Sequence, residues 1–333
     1  MTPSARGWLP IEIGLDAESR KAVVRWLEFG SAKLAEPFFA QTVERLRQAS
    51  PPAKETRSNL ETLLNIGETL SPVTPSGFIF HVSRCGSTLI SNALKTSERA
   101  VVVSEAPPLA ILLHPDSCAF DSSAESWDET RQALFRAQIA LFAHYRSESA
   151  APLVIKFPSW NILFWSTVRS YWPDVPGIVI IRDPVEVMTG NLSDGGWMEF
   201  KKSPALARRL FGWENAPRSV EEMPDAEFAG RVLRRFYTCA REMADQGYRI
   251  VDYRDIDVKQ IQSTARFFKI EPPASPSPIE QILRVYSKDA GQVQPFQPDS
   301  LRKQKLATGL IRSSARQWAT AAYRDLKNLC YRP

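Results

Sequence analysis

The chain has 333 residues, 44% of them apolar and 24% charged, which is enough apolar side chain for one large α/β domain with or without an added helical lobe. No run of about 18 uncharged apolar residues occurs, which excludes a helical membrane span, and the four cysteines (Cys85, Cys118, Cys239, Cys330) form no CxxC pair or zinc-type spacing. The formal charge of +5 comes without a Lys/Arg block, an RNP-like aromatic motif or zinc-finger spacing, so a small polyanionic ligand accounts for it as well as nucleic acid does.

In chain order, the opening "MTPSARGWLPIEIG" has no apolar signal region, and a cytoplasmic, unanchored protein is expected. "DAESRKAVVRWLEF", "EPFFAQTVERLRQA" and "TRSNLETLLNIGETL" place apolar residues three and four apart. Residues 1–70 are therefore expected to form an N-terminal helical lobe without strands. From residue 77 the pattern changes to short β-branched runs: "GFIFHV" (77–82), "AVVVS" (100–104), "PLVIKF" (152–157), "GIVIIR" (177–182) and "YRIVDY" (248–253). Buried parallel strands have this composition. Amphipathic stretches such as "TRQALFRAQIALFAHY" and "FAGRVLRRFYTCAREMADQ" lie between them, and the tail returns to helical periodicity. The expected fold is α/β: a doubly wound, mainly parallel sheet of P-loop type with flanking helices over 71–333, ending in a helical tail.

Ligands of open α/β sheets sit beyond the carboxyl ends of the strands. Each expected strand here ends in or near a charge: Arg84, Glu105, Lys156, Arg182, and Asp252 or Asp255. A charge at a strand end also simply meets water. Asp183 reads as structural, because "DPVE" supplies an N-cap, a proline at the first helical position and a Glu at the capping-box place. His81 reads as a packed core histidine, and His114 and His144 have no evident partners.

The most specific signal is "FIFHVSRCGSTLISNAL" (78–94), a strand, a tight Gly-containing turn and a helix. Backbone N–H groups at such a turn form an anion nest. Gly86 allows close backbone approach, and Ser87 and Thr88 add hydroxyls. In a nucleotide triphosphate loop of the form GxxxxGK[ST], a Lys would stand where Ser87 does, so a triphosphate with magnesium is disfavoured.

"RCGST" (84–88) resembles the 5′-phosphosulfate loop [KR]-[ST]-G-[ST]-T of the PAPS-dependent sulfotransferase superfamily, with Arg84 at the basic position and Cys85 at a place that usually carries a hydroxyl. Glu105 matches the spacing of the catalytic Glu in the branch that includes the tyrosylprotein sulfotransferases. "LVIKFPSW" resembles the family's KxP segment at Lys156, "GIVIIRDPVEVMTGNLS" its 3′-phosphate segment at Arg182, and "IVDYRDI" with "TARFFKI" the segments that close the fold. These likenesses run in the family's order from about 77 to 270.

The resemblance implies transfer of a sulfuryl group from PAPS to an acceptor hydroxyl, without a metal. Arg84, Glu105 and Lys156 would be catalytic; Arg84, Cys85, Gly86, Ser87, Thr88 and Arg182 would bind the nucleotide. The family's 3′-phosphate serine falls on Gly190, so that neighbours such as Thr189, Asn191 or Ser193 are candidates in its place, and Arg302 and Lys303 stand for an absent RKG motif. Trp160, Trp165, Trp197 and Phe200 are candidates for an acceptor groove or for core packing. The acceptor, a hydroxyl-bearing small molecule or peptide, is open, as is the oligomeric state; no nucleic-acid or membrane partner is expected. The alternatives are an ATP-dependent phosphotransferase and a non-catalytic nucleotide-binding module.

Overall fold

The computed structural model of the chain describes residues 3–120, 127–213, 219–273, 275–291 and 293–333. The N-terminal segment corrects the expectation of an all-helical lobe. β1 (Trp8–Leu15), β2 (Ala22–Glu28) and β3 (Glu55–Ser58) form an antiparallel three-stranded sheet in the order β1-β2-β3. "LPIEI" alternates in sequence at Leu9, Ile11 and Ile13, but Trp8 to Ile11 are all buried and only Glu12 turns outward, beside a shift of register between Pro10 and Glu12. "AVVRWLE" carries β-branched Val23 and Val24 where a helix was expected; Val24 and Trp26 point to the core and Arg25 to solvent, where it pairs with Glu12 and Glu55. The two other expected helices do form, over Phe39–Arg47 and Leu60–Glu68. The side chain of Asn59 caps the second by accepting from the Thr62 N–H.

The five expected strands all form: β4 (Gly77–His81), β5 (Val101–Ser104), β6 (Leu153–Lys156), β7 (Gly177–Ile181) and β8 (Arg249–Asp252). They make one parallel sheet in the order β5-β6-β4-β7-β8. Helices flank it, so its strands are buried on both faces; Phe78, Ile79 and Phe80 are fully buried, each contributing roughly 1.5–3 kcal/mol of transfer free energy. Two glycines let helix or loop side chains press on strand backbones: a Cβ at Gly77 would overlap the Phe268 ring, and one at Gly177 the Tyr248 ring. The apolar residues of the N-terminal sheet join the same continuous core.

The chain leaves β4 in the middle of the sheet for β5 and β6 on one side, then crosses to β7 and β8 on the other. The switch in direction falls at β4, so the loop after it opens onto the crevice where such sheets hold ligands. No helix among the described residues is long and apolar enough to cross a membrane.

Candidate active site

The loop after β4 is held in an uncommon backbone conformation. Ser83, Arg84 and Gly86 all have positive φ, of 67°, 50° and 84°. For Ser83 and Arg84 this is strain of the kind that clusters at ligand sites. At Gly86 a Cβ would lie 2.8 Å from both Ile256 and Tyr253, so only glycine lets the loop approach the segment after β8. Gly86 caps the Ser87–Leu94 helix, whose first N–H groups have no intrahelical carbonyl to meet and carry the positive end of the helix dipole. Cys85 is buried, and burial pushes its thiol up to about 11, so it stays protonated in the ordinary pH range.

Strand ends build one pole of the site. Lys156, fully buried at the end of β6, forms an ion pair with Glu105 at the end of β5 and lies 3.4 Å from the Thr88 hydroxyl. Glu105 has φ 56°, and its N–H donates to the Lys156 carbonyl at 2.8 Å, so backbone and side chain are both fixed to β6. Burial would push this carboxyl up, but the adjacent Lys156 ammonium outweighs it and holds Glu105 well below the usual carboxylate range. His81, expected as a packed core histidine, is buried and stands beside Glu105. Its Nδ1 accepts the Ser83 N–H at 3.0 Å, which leaves the proton on Nε2, 3.4 Å from Glu105. Burial and the nearby Lys156 charge keep this imidazole neutral below its ordinary range. Phe38, from the N-terminal segment, closes the pole with its ring centre 5.0 Å from the Lys156 ammonium.

The C-terminal tail closes the other pole. Arg182, after β7, is buried and its guanidinium stacks 3.9 Å from the centre of the Tyr253 ring. Its Nε donates to Glu186 at 2.7 Å, Nη1 to the Arg84 carbonyl at 3.0 Å, and Nη2 to Asp299 at 2.5 Å and the Ser300 hydroxyl at 3.2 Å. Asp183 caps its helix as expected, whereas Glu186, expected at the capping-box place, turns its carboxylate to Arg182. Lys303 pairs with Asp299 at 2.8 Å. A Cβ on Gly190 would come within 3.3 Å of Arg84 Cγ and Lys303 Cε, so the bare backbone there makes room for two basic side chains. The Thr189 and Ser193 hydroxyls donate to carbonyls of their own helix and are not available in place of a serine at 190.

A short antiparallel bridge, Val285 to Pro295, carries Tyr286, Ser287 and Lys288 over the cleft. Asn92 holds it by donating to the Ser287 carbonyl at 2.8 Å. Lys288 makes no ion pair among the described residues, although Arg84, Lys156, Arg182 and Lys303 each have a carboxylate partner. Burial and the Arg84 charge pull its ammonium down to about 8.

Of the expected site residues, Arg84, Cys85, Gly86, Ser87, Thr88, Glu105, Arg182, Asn191 and Lys303 line one cleft of about 360 Å³, with Lys156 behind Glu105. Gly190 and Arg302 line the adjoining hollow, which shares Arg84, Asp299 and Lys303 with the cleft. Trp160, Trp197 and Phe200 also face the cleft, while Trp165 lies elsewhere, its indole N–H directed to Glu242. His81, Lys288, Asp299 and Phe38 were not singled out for the site by sequence. A histidine two residues before the turn was the available signal for the first; the other three come from segments with no motif. No group of three or more His, Cys, Asp or Glu side chains suited to a metal ion occurs among the described residues.

No protein-family model matches the sequence, and neither does any curated protein. Among solved structures, the chain is similar to a sulfotransferase from Alicyclobacillus acidocaldarius (16% identity, TM-score 0.37, covering 77% of this chain and 99% of that one). It is also similar to the sulfotransferase domain of the Synechococcus PCC 7002 olefin synthase (14% identity, TM-score 0.37, covering 79% of this chain and 97% of that one).

Proposed function

We propose that the protein is a sulfotransferase that moves a sulfuryl group from PAPS to an acceptor hydroxyl. The observation that carries this reading is the meeting of Glu105, Lys156 and Thr88 at the strand ends beside the Arg84–Gly86 turn. A base and a phosphate-type loop thus share one cleft, with the Lys156 cation behind Glu105 and Ser87 where a triphosphate loop has its lysine.

When bound, PAPS supplies a sulfuryl group activated on a phosphate. The loop N–H groups and the Ser87 and Thr88 hydroxyls suit its 5′-phosphate, and Arg182 with Lys303 its 3′-phosphate. The Lys303 ammonium stands beside Gly190 and takes over the part of the serine absent there. Asp299 holds both cations in the unliganded arrangement, so a phosphate there must displace a carboxylate of the tail.

The acceptor oxygen bonds to sulfur as the bond from sulfur to the phosphate oxygen breaks, and the acceptor proton passes to Glu105. Lys156 keeps Glu105 ionised but weakly basic in the resting site. An anion drawn into the cleft beside Glu105 opposes the Lys156 field, and the carboxylate's basicity then rises where it is needed. His81 stands 3.4 Å from the same Glu105 oxygen that pairs with Lys156, and the two together fix where that oxygen lies. Arg84 and Lys156 oppose charge building on the sulfuryl and leaving oxygens. Trp160, Trp197 and Phe200 give the cleft an aromatic wall for the acceptor's carbon skeleton.

The test is incubation with PAPS and a panel of phenols, alcohols and hydroxyl-bearing peptides, followed by mass spectrometry. Sulfated acceptor formed one-to-one with 3′,5′-adenosine bisphosphate supports the reading. Absence of any product, together with phosphorylation of the same panel from ATP and Mg²⁺, would replace it with the phosphotransferase reading.

A further inference from the structure

A second cavity, of about 190 Å³, lies by the start of β5 and the C-terminal end of the Ser87–Leu94 helix, away from the loop. It has room for a solute larger than one water, which takes about 30 Å³ in the liquid. Lys33, Lys95 and Arg146 all line it, and none of the three makes an ion pair among the described residues. Glu98 is its one acidic residue.

Lys95 is half-buried, whereas Lys33 is exposed. The Lys95 ammonium has three donors, and its one acceptor among the described residues is the Glu36 main-chain carbonyl. The Glu36 carboxylate is occupied by Thr42 and Arg45 instead. Burial pulls the Lys95 ammonium down to about 7, with the Lys156 charge adding to it, as expected of a cation lacking its counter-ion. The helix end nearby carries the negative end of its dipole, so only the side-chain cations favour an anion here.

Asn92 adds a chemical preference. It lines the cavity, is 4% exposed, and donates through Nδ2 to the Ser287 carbonyl, but its Oδ1 is buried without a partner. An orphaned buried acceptor costs about 1–3 kcal/mol and calls for a donor. Sulfate has none at neutral pH, whereas monohydrogen phosphate carries one P–OH.

We propose that this cavity binds a small oxyanion bearing an O–H donor, held by Lys33, Lys95 and Arg146 and selected by Asn92, with inorganic phosphate as the fitting example. It is separate from the nucleotide cleft and does not depend on the sulfotransferase reading.

The probe is isothermal titration with inorganic phosphate and, in parallel, sulfate. Loss of one charge-assisted contact should weaken phosphate roughly tenfold or more in Lys95→Met. Arg146→Ala gives the same loss as the lysine variant and serves if Lys95→Met does not fold. Wild type should prefer phosphate over sulfate by roughly fivefold or more, and Asn92→Ala should erase that preference. Absence of millimolar phosphate binding, or binding that survives Lys95→Met and Arg146→Ala, overturns the site. Equal affinity of the wild type for the two anions overturns the role of Asn92.

Discussion

The two poles of the cleft are built differently. At one, Glu105, Lys156, His81 and Thr88 come from strand ends and the loop helix, all anchored in the sheet. At the other, Arg182 and Lys303 are joined by Asp299, which lies 117 residues beyond Arg182 in the chain and belongs to the tail. The sheet pole sets the Glu105 carboxylate directly against the Lys156 ammonium, the pair to which the proposed transfer assigns the proton and the charge. The tail pole is closed on itself, so ligand binding there exchanges one anion for another. The proposed chemistry thus falls to the pole anchored in the sheet and the proposed nucleotide selection to the pole that the tail completes.

The strongest way to separate the poles is Glu105→Gln. Turnover should fall about 10²- to 10⁴-fold, the range of general-base assistance. Affinity for 3′,5′-adenosine bisphosphate should hold or rise, since Lys156 loses its competing carboxylate. Measuring kcat and nucleotide affinity on the same preparation decides it, and turnover that survives moves the base elsewhere.

Arg182→Ala strikes the tail pole. Removing a charge-assisted pair should weaken 3′,5′-adenosine bisphosphate roughly ten- to a hundredfold while AMP affinity changes much less. Equal losses for the two nucleotides would detach Arg182 from the 3′-phosphate.

Asp299→Asn works in the opposite direction. Freed of its carboxylate, Arg182 should bind the 3′-phosphate about tenfold more tightly, equivalent to about 1.4 kcal/mol, while thermal unfolding shifts downward because a mostly buried ion pair is lost. Weaker nucleotide binding together with an unchanged melting temperature would contradict the gating role of the tail.

Lys288 predicts the smallest effect. Burial and the Arg84 charge pull its ammonium down to about 8, and an anion paired with it would raise that value. Nucleotide affinity therefore declines as pH rises through about 8, as the free enzyme loses the Lys288 proton that binding needs. Lys288→Met should flatten that decline; an identical slope in the variant would exclude this residue from anion binding.

The parallel sheet was legible because its strands are short, β-branched and wholly apolar, a pattern with little competition from helix. Arg84, Glu105, Lys156 and Arg182 followed, since strand ends point to one crevice. The N-terminal strands were missed because β2 mixes Arg25, Trp26 and Glu28 among its valines, so apolar residues also recur at helical spacing. The alternation of Leu9, Ile11 and Ile13 was the usable signal for β1. Asp299 and Lys288 were not legible for another reason: their roles depend on where the tail packs, and no local pattern encodes that. The place of Lys303 beside Gly190 likewise needed coordinates, because an absent side chain says nothing of which neighbour fills its space.

The measurement that tests the central claim most directly is calorimetric titration of the protein with 3′,5′-adenosine bisphosphate, AMP, and ADP with Mg²⁺. The account predicts micromolar binding of the bisphosphate, at least about tenfold weaker AMP, and no dependence on Mg²⁺. Tight ADP binding that requires Mg²⁺, or no discrimination by the 3′-phosphate, would contradict it.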